Sequence, residues 1–366
     1  MKHSVWREFR TLLILIALLT VALTASAQDG GAIIVVGSGV AGPLFQTLVE
    51  SGENEAVIAL EVTGTNTGFA RFCEGTADVT TANRPMSAAE NESCIANNIN
   101  YVELPVAHDV VAFVVDPETD FATCLTQDQV NTVFAPSTEA SVTSWNQVIE
   151  EAPDTALSTF VPDEISSTYA ILDRFVEGDG VRSDAKAAPS GVDIVTAVAE
   201  TPGAIGVTSL VAASTAGENV RILQIDAGLG CRAPDAEAVE GSLYAPADTL
   251  YVYANLASLN KVGLKDALAF ASGATAAEIV AASGYIAPSD NAYTVNESSL
   301  SAAESGVTVA RATGDAAIPT NLTGQIRFGG AAGARDYLQV SIDAFKTLNT
   351  SVVTETRFLG ELAGYR

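Results

Sequence analysis

The sequence predicts an α/β architecture built on largely parallel sheets. Three observations carry this. Strand-like and helix-like segments alternate along the chain, small polar residues recur where a strand candidate gives way to a helix candidate, and 48% of the 366 residues are apolar, enough for a sizeable core. Short β-branched runs predict strands at 32–36, 56–62, 77–81, 100–105, 110–115, 204–208, 220–226 and 249–253. Apolar residues at helical spacing predict helices at 43–50, 69–74, 88–97, 127–134, 168–176, 192–200, 261–271 and 276–282. Residues 290–324 are rich in Ser, Ala, Gly, Thr and Asn with weak periodicity, and read as a linker.

The first residues read as an export leader. Lys2, Arg7 and Arg10 precede an apolar run at 12–23, and Ala25-Ser26-Ala27 supplies small residues for a signal peptidase, so cleavage is expected after Ala27, before Gln28. That run is shorter than the ~20 residues of a spanning helix, and no later segment is long enough, so no direct membrane insertion is expected after cleavage. No cysteine follows the leader to take a lipid, and no twin arginine marks export of a folded, cofactor-loaded protein. A secreted or periplasmic location follows.

The formal charge is −26, and losing a leader with three basic and one acidic residue makes the mature chain more acidic still. Such a field argues against nucleic acid or an anionic membrane as partner. Any anion would have to be held by local N–H groups and a few placed cations. Four cysteines, Cys73, Cys94, Cys124 and Cys231, suit two disulfides in an exported protein, and no spacing resembles a compact zinc site. Three pairings are open; the short separation of the first two favours Cys73 with Cys94, leaving Cys124 with Cys231. His3 leaves with the leader, so His108 is the mature chain's sole histidine. Metal clusters and histidine triads are thereby nearly removed, and no catalytic residue, metal or cofactor is expected.

Gly37-x-Gly39-x-x-Gly42 follows a strand candidate, with Glu61 at nearly the distance of a ribose-binding acid. Alone it outlines a dinucleotide fingerprint and hence an exported flavin- or NAD-dependent oxidoreductase. Pro43 directly after the last glycine, tolerated only at a helix start, and export without a twin-arginine signal speak against it.

The stretch beyond Gly37 fits another pattern. Residues 62–86, a glycine-rich turn, short helix and strand ending in Arg84-Pro85, come first. Next in order are residues 90–94 and 101–117, Cys124-Leu125-Thr126 with Ser144-Trp145-Asn146, Gly203-Ala204-Ile205-Gly206 and Gly284-Tyr285-Ile286-Ala287-Pro288. Over about 33–293 the chain resembles the periplasmic phosphate-binding proteins of ABC importers, in the type II periplasmic binding protein superfamily. The resemblance implies a two-lobed fold, each lobe a mainly parallel sheet flanked by helices, with a two-crossing hinge. It also implies a binding protein for a small oxyanion, phosphate favoured, working with a membrane permease. A secreted adhesion or scaffold module that keeps this fold without transport is the remaining alternative.

Three segments place small hydroxyl or amide residues at strand-to-helix junctions, where N–H groups are exposed: Gly37-Ser38-Gly39, Thr65-Asn66-Thr67-Gly68 and Ser166-Ser167-Thr168. Arg84 is the candidate cation, since a guanidinium grips two oxygens of one anion, and Asn83 beside it would donate or accept. His108 reads as a polar residue at a lobe crossing rather than a general base. Two family anchors have changed: the Asp-Ser-Gly-Thr turn is Ile165-Ser166-Ser167-Thr168, preceded by Asp163 and Glu164, and Ser-Arg-Pro-Leu is Ala247-Asp248-Thr249-Leu250. The organisation expected is a leader at 1–27, a first lobe at 28–107 and 247–293, a second at 108–246, and a linker at 294–325. Residues 326–366 are expected to open a second, truncated copy of the module, since Ile326-Arg327-Phe328-Gly329-Gly330 echoes residues 33–37 and residues 353–366 echo 57–71.

Overall fold

The computed structural model describes residues 31–176, 180–305, 324–331, 350–359 and a few positions at 339–346. The expected leader lies outside them. The chain divides into one unit ending at Arg311 and a second from Ala312.

The first unit is organised by one mixed sheet. β1 (Ile33–Gly37) leads through α1 (Ala41–Ser51) to β2 (Ile58–Val62), α2 (Thr65–Cys73), β3 (Val79–Ala82), α3 (Ala88–Ala96) and the long β4 (Tyr101–Val115). Then come β5 (Cys124–Thr126), α4 (Gln127–Phe134), β6 (Ser158–Pro162), α5 (Ser167–Phe175), β7 (Lys186–Ala188), α6 (Gly191–Ala199), β8 (Ala204–Ser209) and α7 (Leu210–Thr215). The return runs through β9 (Arg221–Ile222), β10 (Gln224–Asp226), α8 (Ala236–Glu240), β11 (Ala247–Asn255), α9 (Leu264–Ala271), α10 (Ala277–Ala282) and α11 (Asp290–Glu304). Strand order is β2-β1-β3-β11-β4-β8-β6-β7, with β9 also on β4. β1, β2 and β3 are parallel, as are β8, β6 and β7, while β11 and β4 are antiparallel to each other and join the two groups. Two large cores result, one around β1, β3, α1 and α9, the other around the end of β4, Trp145, α5 and β8, with a smaller third cluster of Phe69, Phe72, Tyr101 and Tyr253 in the first lobe. The two-lobed α/β reading with two crossings is thus the observed architecture.

The crossing strand departs from expectation. Residues 100–105 and 110–115 are not two strands but parts of β4, whose 15 residues are all buried. Pro105 has no N–H to give the ladder; the register with β11 shifts between Leu250 and Tyr251, which pair with Ala107 and Pro105. α2 begins at Thr65, four residues earlier than expected, which puts Thr65 at a helix start. β6 at the centre of the second lobe has no counterpart among the expected strands; it is five residues long and ends on Pro162.

The linker reading fails for its first part, because residues 290–304 form α11. Its buried face is Ala292, Asn296, Ser299 and Ala303, small or polar residues that give no apolar stripe to read. Asn296 is nevertheless buried and donates to the Pro105 and Ser272 carbonyls at 2.9 and 3.0 Å, so hydrogen bonding takes the place of apolar packing. The rest of the expected linker, from residue 306 to 323, lies outside the described residues.

In the second unit, β12 (Gly324–Ala331) and β13 (Val352–Leu359) pair in parallel, joining Ile326 to Thr354 and Gly330 to Phe358. With residues 326–330 laid on 33–37 and 354–358 on 58–62, this register is that of β1 with β2, which joins Ile33 to Ile58 and Gly37 to Val62, the connection being three residues longer.

Both disulfides have the expected partners. Cys73–Cys94 ties α2 to α3 with Cα atoms 4.2 Å apart, and Cys124–Cys231 holds the β5 end against the segment after β10 with Cα atoms 6.0 Å apart. They span 21 and 107 residues. Loop entropy then assigns about 3 kcal/mol to the first and about 5 kcal/mol to the second. Urea unfolding of Cys73→Ser/Cys94→Ser and Cys124→Ser/Cys231→Ser chains should therefore show the larger loss for the second pair; the reverse order would mean that packing, not chain entropy, dominates.

Candidate functional site

The site is built where the parallel strands of the first lobe end. Gly37, at the end of β1, has φ +133°, and a Cβ there would overlap the Thr81 carbonyl. Its own carbonyl accepts from Thr63 and Gly64 at 3.0 and 2.8 Å. A Cβ on Gly68 would lie 2.7 Å from the Gly37 Cα. These two glycines let the first turn of α2 sit on the end of β1, so close approach of chain to chain explains the first glycine of the fingerprint without a pyrophosphate. Glu61, the would-be ribose acid, instead pairs with Arg71 at 2.6 Å. The fingerprint reading is not what this junction is for.

Ser38 is buried, and its N–H donates to Thr81 O at 2.9 Å. Its hydroxyl oxygen accepts from Val40 and Ala41 N–H at 3.1 and 3.2 Å, the work of a helix cap. Gly39 stands between them at the mouth of α1. At α2 no side chain caps the helix, so Thr65, Asn66 and Thr67 form an uncapped first turn.

From there a chain of contacts crosses the cleft. Thr65 Oγ1 donates to Asn83 Oδ1 at 2.8 Å, and Asn83 Nδ2 donates to Asp248 Oδ2 at 3.1 Å. Asp248 Oδ1 meets Arg174 Nη2 of α5 at 2.5 Å. Directly across the strand pair from Asp248 is Asp109, whose charged form the nearby Ser167 hydroxyl of α5 favours. Side chains of both lobes thus converge on two carboxylates of the crossing strands. Burial pushes both carboxyls above the usual Asp range; their mutual repulsion adds to this at Asp109, while Arg174 opposes it at each.

Of the expected site residues, Thr65, Asn83 and Ser167 belong to this chain of contacts. Asn66 accepts from Arg84 Nη2 at 2.7 Å. Ser166 is the N-cap of α5, accepting from Tyr169 N–H at 3.1 Å and donating to Asp163 O, with Thr168 in the turn behind it. Arg84 is arranged otherwise than expected. Its Nη1 and Nη2 fork onto Glu90 Oε2 and Oε1 at 2.9 and 2.7 Å, and its guanidinium lies 5.2 Å over the Phe69 ring. Glu90 also caps α3 through Ser87, so this ion pair builds the turn that presents Asn83. Burial tends to raise the Glu90 carboxyl, yet the bonds from Arg84 and Ser87 outweigh it and hold it below the usual range.

The cation that faces the crossing strands is Arg174, which sequence reasoning missed along with the roles of Asp109 and Asp248. A signal existed: Arg174 is seven residues after Ser167, two turns on and on the same helix face. His108 lies in the crossing, buried, with ring nitrogens 3.1 Å from Thr249 Oγ1 and from Glu240 Oε1, a structural tie between β4, β11 and α8. A concavity of about 990 Å³ next to it is lined by Asp235, Glu237, Glu240 and Asp290, a lining that repels anions. Among the described residues no helix is long and apolar enough to cross a membrane.

A family profile described as a PBP superfamily domain matches residues 22–271, more than half of the chain. The chain belongs to the PBP superfamily. Within that superfamily it is 28% identical over 299 residues to Protein SphX of a Synechocystis strain, covering 79% of this chain and 88% of that one. The phosphate-binding protein PstS of Staphylococcus saprophyticus is 24% identical over 283 residues, covering 75% and 86%. Among solved structures, a possible phosphate binding protein from Planctomyces limnophilus superposes with a TM-score of 0.66 at 27% identity, covering 75% of this chain and 99% of that one. PstS from Borrelia burgdorferi shares the fold, with a TM-score of 0.58 at 17% identity and coverages of 70% and 99%.

The carboxylates make opposite contributions to stability as pH changes. Glu90 has a lowered pKa, so its stabilisation is present above the ordinary Glu value and is lost as pH falls through the folded value. Asp109 has a raised pKa, so its charged form costs stability at neutral pH and the cost fades on acidification. Asp109→Asn should therefore be more stable than the parent at pH 7, with the gap closing towards pH 3.5, whereas Glu90→Gln should be less stable at pH 7. Urea midpoints at the two pH values check both signs.

Proposed function

We propose that the chain is an exported solute-binding protein that captures a small oxyanion, phosphate favoured, between two lobes for an ABC-type importer. One observation carries the reading: hydroxyl, amide and guanidinium groups from separate lobes, Thr65 and Asn83 on one side and Ser167 and Arg174 on the other, meet at the crossing strands. A tetrahedral anion needs donors converging from several directions, and an uncapped helix start at Thr65 adds backbone N–H groups to them. The names of the relatives support phosphate, and binding rather than catalysis. Ligand would favour the closed arrangement by its differential affinity for it, and a membrane permease would read the closed surface. Both disulfides suit the oxidising compartment that an export leader implies.

We also infer that residues 326–366 open a second copy of the module. The equal registers of β12 with β13 and β1 with β2 support it, as does helical backbone at Gln339, Ile342, Asp343, Phe345 and Lys346 between the strands. The second copy's Ala331 stands where Ser38 stands in the first, so the hydroxyl that accepts from the start of α1 has no counterpart there.

Calorimetry with inorganic phosphate tests the main reading. One phosphate should bind per chain, and Thr65→Val should weaken it by roughly 10- to 100-fold, the size of one lost hydrogen bond to a charged group. Absence of binding by phosphate, arsenate and sulfate alike would refute an oxyanion site.

A further inference from the structure

Asp248 makes the contacts that a bound oxyanion would make. One carboxylate oxygen takes the Asn83 amide of the first lobe at 3.1 Å and the other takes the Arg174 guanidinium of the second at 2.5 Å. Asp248 is mostly buried, with 15% of its side chain exposed, and it starts the strand that carries one of the two crossings. The position is fixed by the backbone ladder, since Asp248 pairs with Asp109 and Thr249 with His108.

We propose that Asp248 is a built-in counter-anion that competes with the oxyanion for Asn83 and Arg174, so that Arg174 must exchange one carboxylate for the ligand when the cleft is filled. This rests on the oxyanion reading and adds the regulation of that site. A dianion beside two ionised aspartates would be repelled; exchange of the Arg174 contact, or neutralisation of the carboxylate, removes that obstacle. The groups facing Asp248 are Asp109 from β4, Arg174 from α5 and Asn83 from the turn after β3. Ser167 of α5 and Tyr285 interact in turn with Asp109. His108 and Glu240 belong to the opposite face of the strand pair, as alternation along a strand requires. Within this set both aspartates are held towards the neutral form by burial, so acidification loosens the hold on Arg174. The affinity for oxyanion then rises, relative to a chain without Asp248, as pH falls.

The test is titration calorimetry of the full chain with inorganic phosphate between pH 5 and 8. It compares the parent with Asp248→Asn, Asp248→Ser, Arg174→Gln and the Asp248→Asn/Arg174→Gln double variant. At each pH the ratio of variant to parent affinity cancels the titration of phosphate itself. Both Asp248 variants should bind at least 5-fold tighter than the parent at pH 7.5, with the ratio shrinking towards pH 5. Arg174→Gln should bind at least 10-fold weaker, and the double variant should lose the gain. Thermal unfolding of each chain establishes that it is folded, and the serine variant replaces the asparagine one if that fails. Asp248 variants that bind phosphate as the parent does, or more weakly, would overturn the counter-anion role while leaving the phosphate reading intact. No binding by any chain, Asp248 variants included, overturns both.

Discussion

Everything in the first unit hangs on the antiparallel pairing of β4 with β11. Each lobe has its own parallel strands and its own core, and only these two strands run in both. A parallel sheet alone could not do this, because its strands all end at the same edge and the chain must leave through helices. The antiparallel pair lets the chain go out along β4 and return along β11, which leaves a two-stranded bridge at residues 107–110 and 247–250. Burial is continuous along β4, so even the polar residues at its middle are covered on both faces of the strand.

That constraint explains the composition of the crossing. His108 and Asp109 interrupt an apolar run and point to opposite faces: His108 meets Thr249 and Glu240, while Asp109 lies near the Ser167 hydroxyl. Alternation along the strand sorts them, so that one face of the bridge ties α8 and α11 to the strands and the other faces the cleft. Glu240 extends the first tie to the N-cap of α11, accepting from Ser289 N–H at 2.8 Å. The helix that the sequence disguises as a linker is therefore part of the structure that holds the crossing.

The parts legible in the sequence were those that local rules determine. Strand-helix alternation, the glycine-rich turn at 64–68 and the Ser166 cap can each be read from neighbours a few residues apart, and the disulfide pairing followed from the short separation of Cys73 and Cys94. Which arginine reaches the crossing strands could not be read that way. Arg84 and Arg174 are both followed or preceded by plausible site residues, and only tertiary contacts show that Glu90 engages the first while Asp248 draws the second to the cleft. Glu90 is itself a capping residue, six positions on, so its claim on Arg84 was open to a reader who asked where the capping box points. α11 escaped for a different reason, because a helix that packs through Ala, Asn and Ser carries no apolar period.

The strong acidity makes the local chemistry of the cleft decisive. A chain of charge −26 offers an anion no long-range attraction, and within a Debye length of about 8 Å at physiological salt only groups of the cleft itself are felt. There the balance is one guanidinium against two carboxylates, so the proposed oxyanion would gain from directed donors and not from net charge. Helix starts and amides suit that task, since they carry donor hydrogens without adding a full positive charge that the rest of the surface would neutralise. Arg174, bonded to Asp248, is in the same position as those amides: a directed donor whose formal charge is already balanced. Selectivity in the proposed site would come from how many donors a ligand can satisfy at once, which would favour a tetrahedral oxyanion over a spherical halide of equal charge.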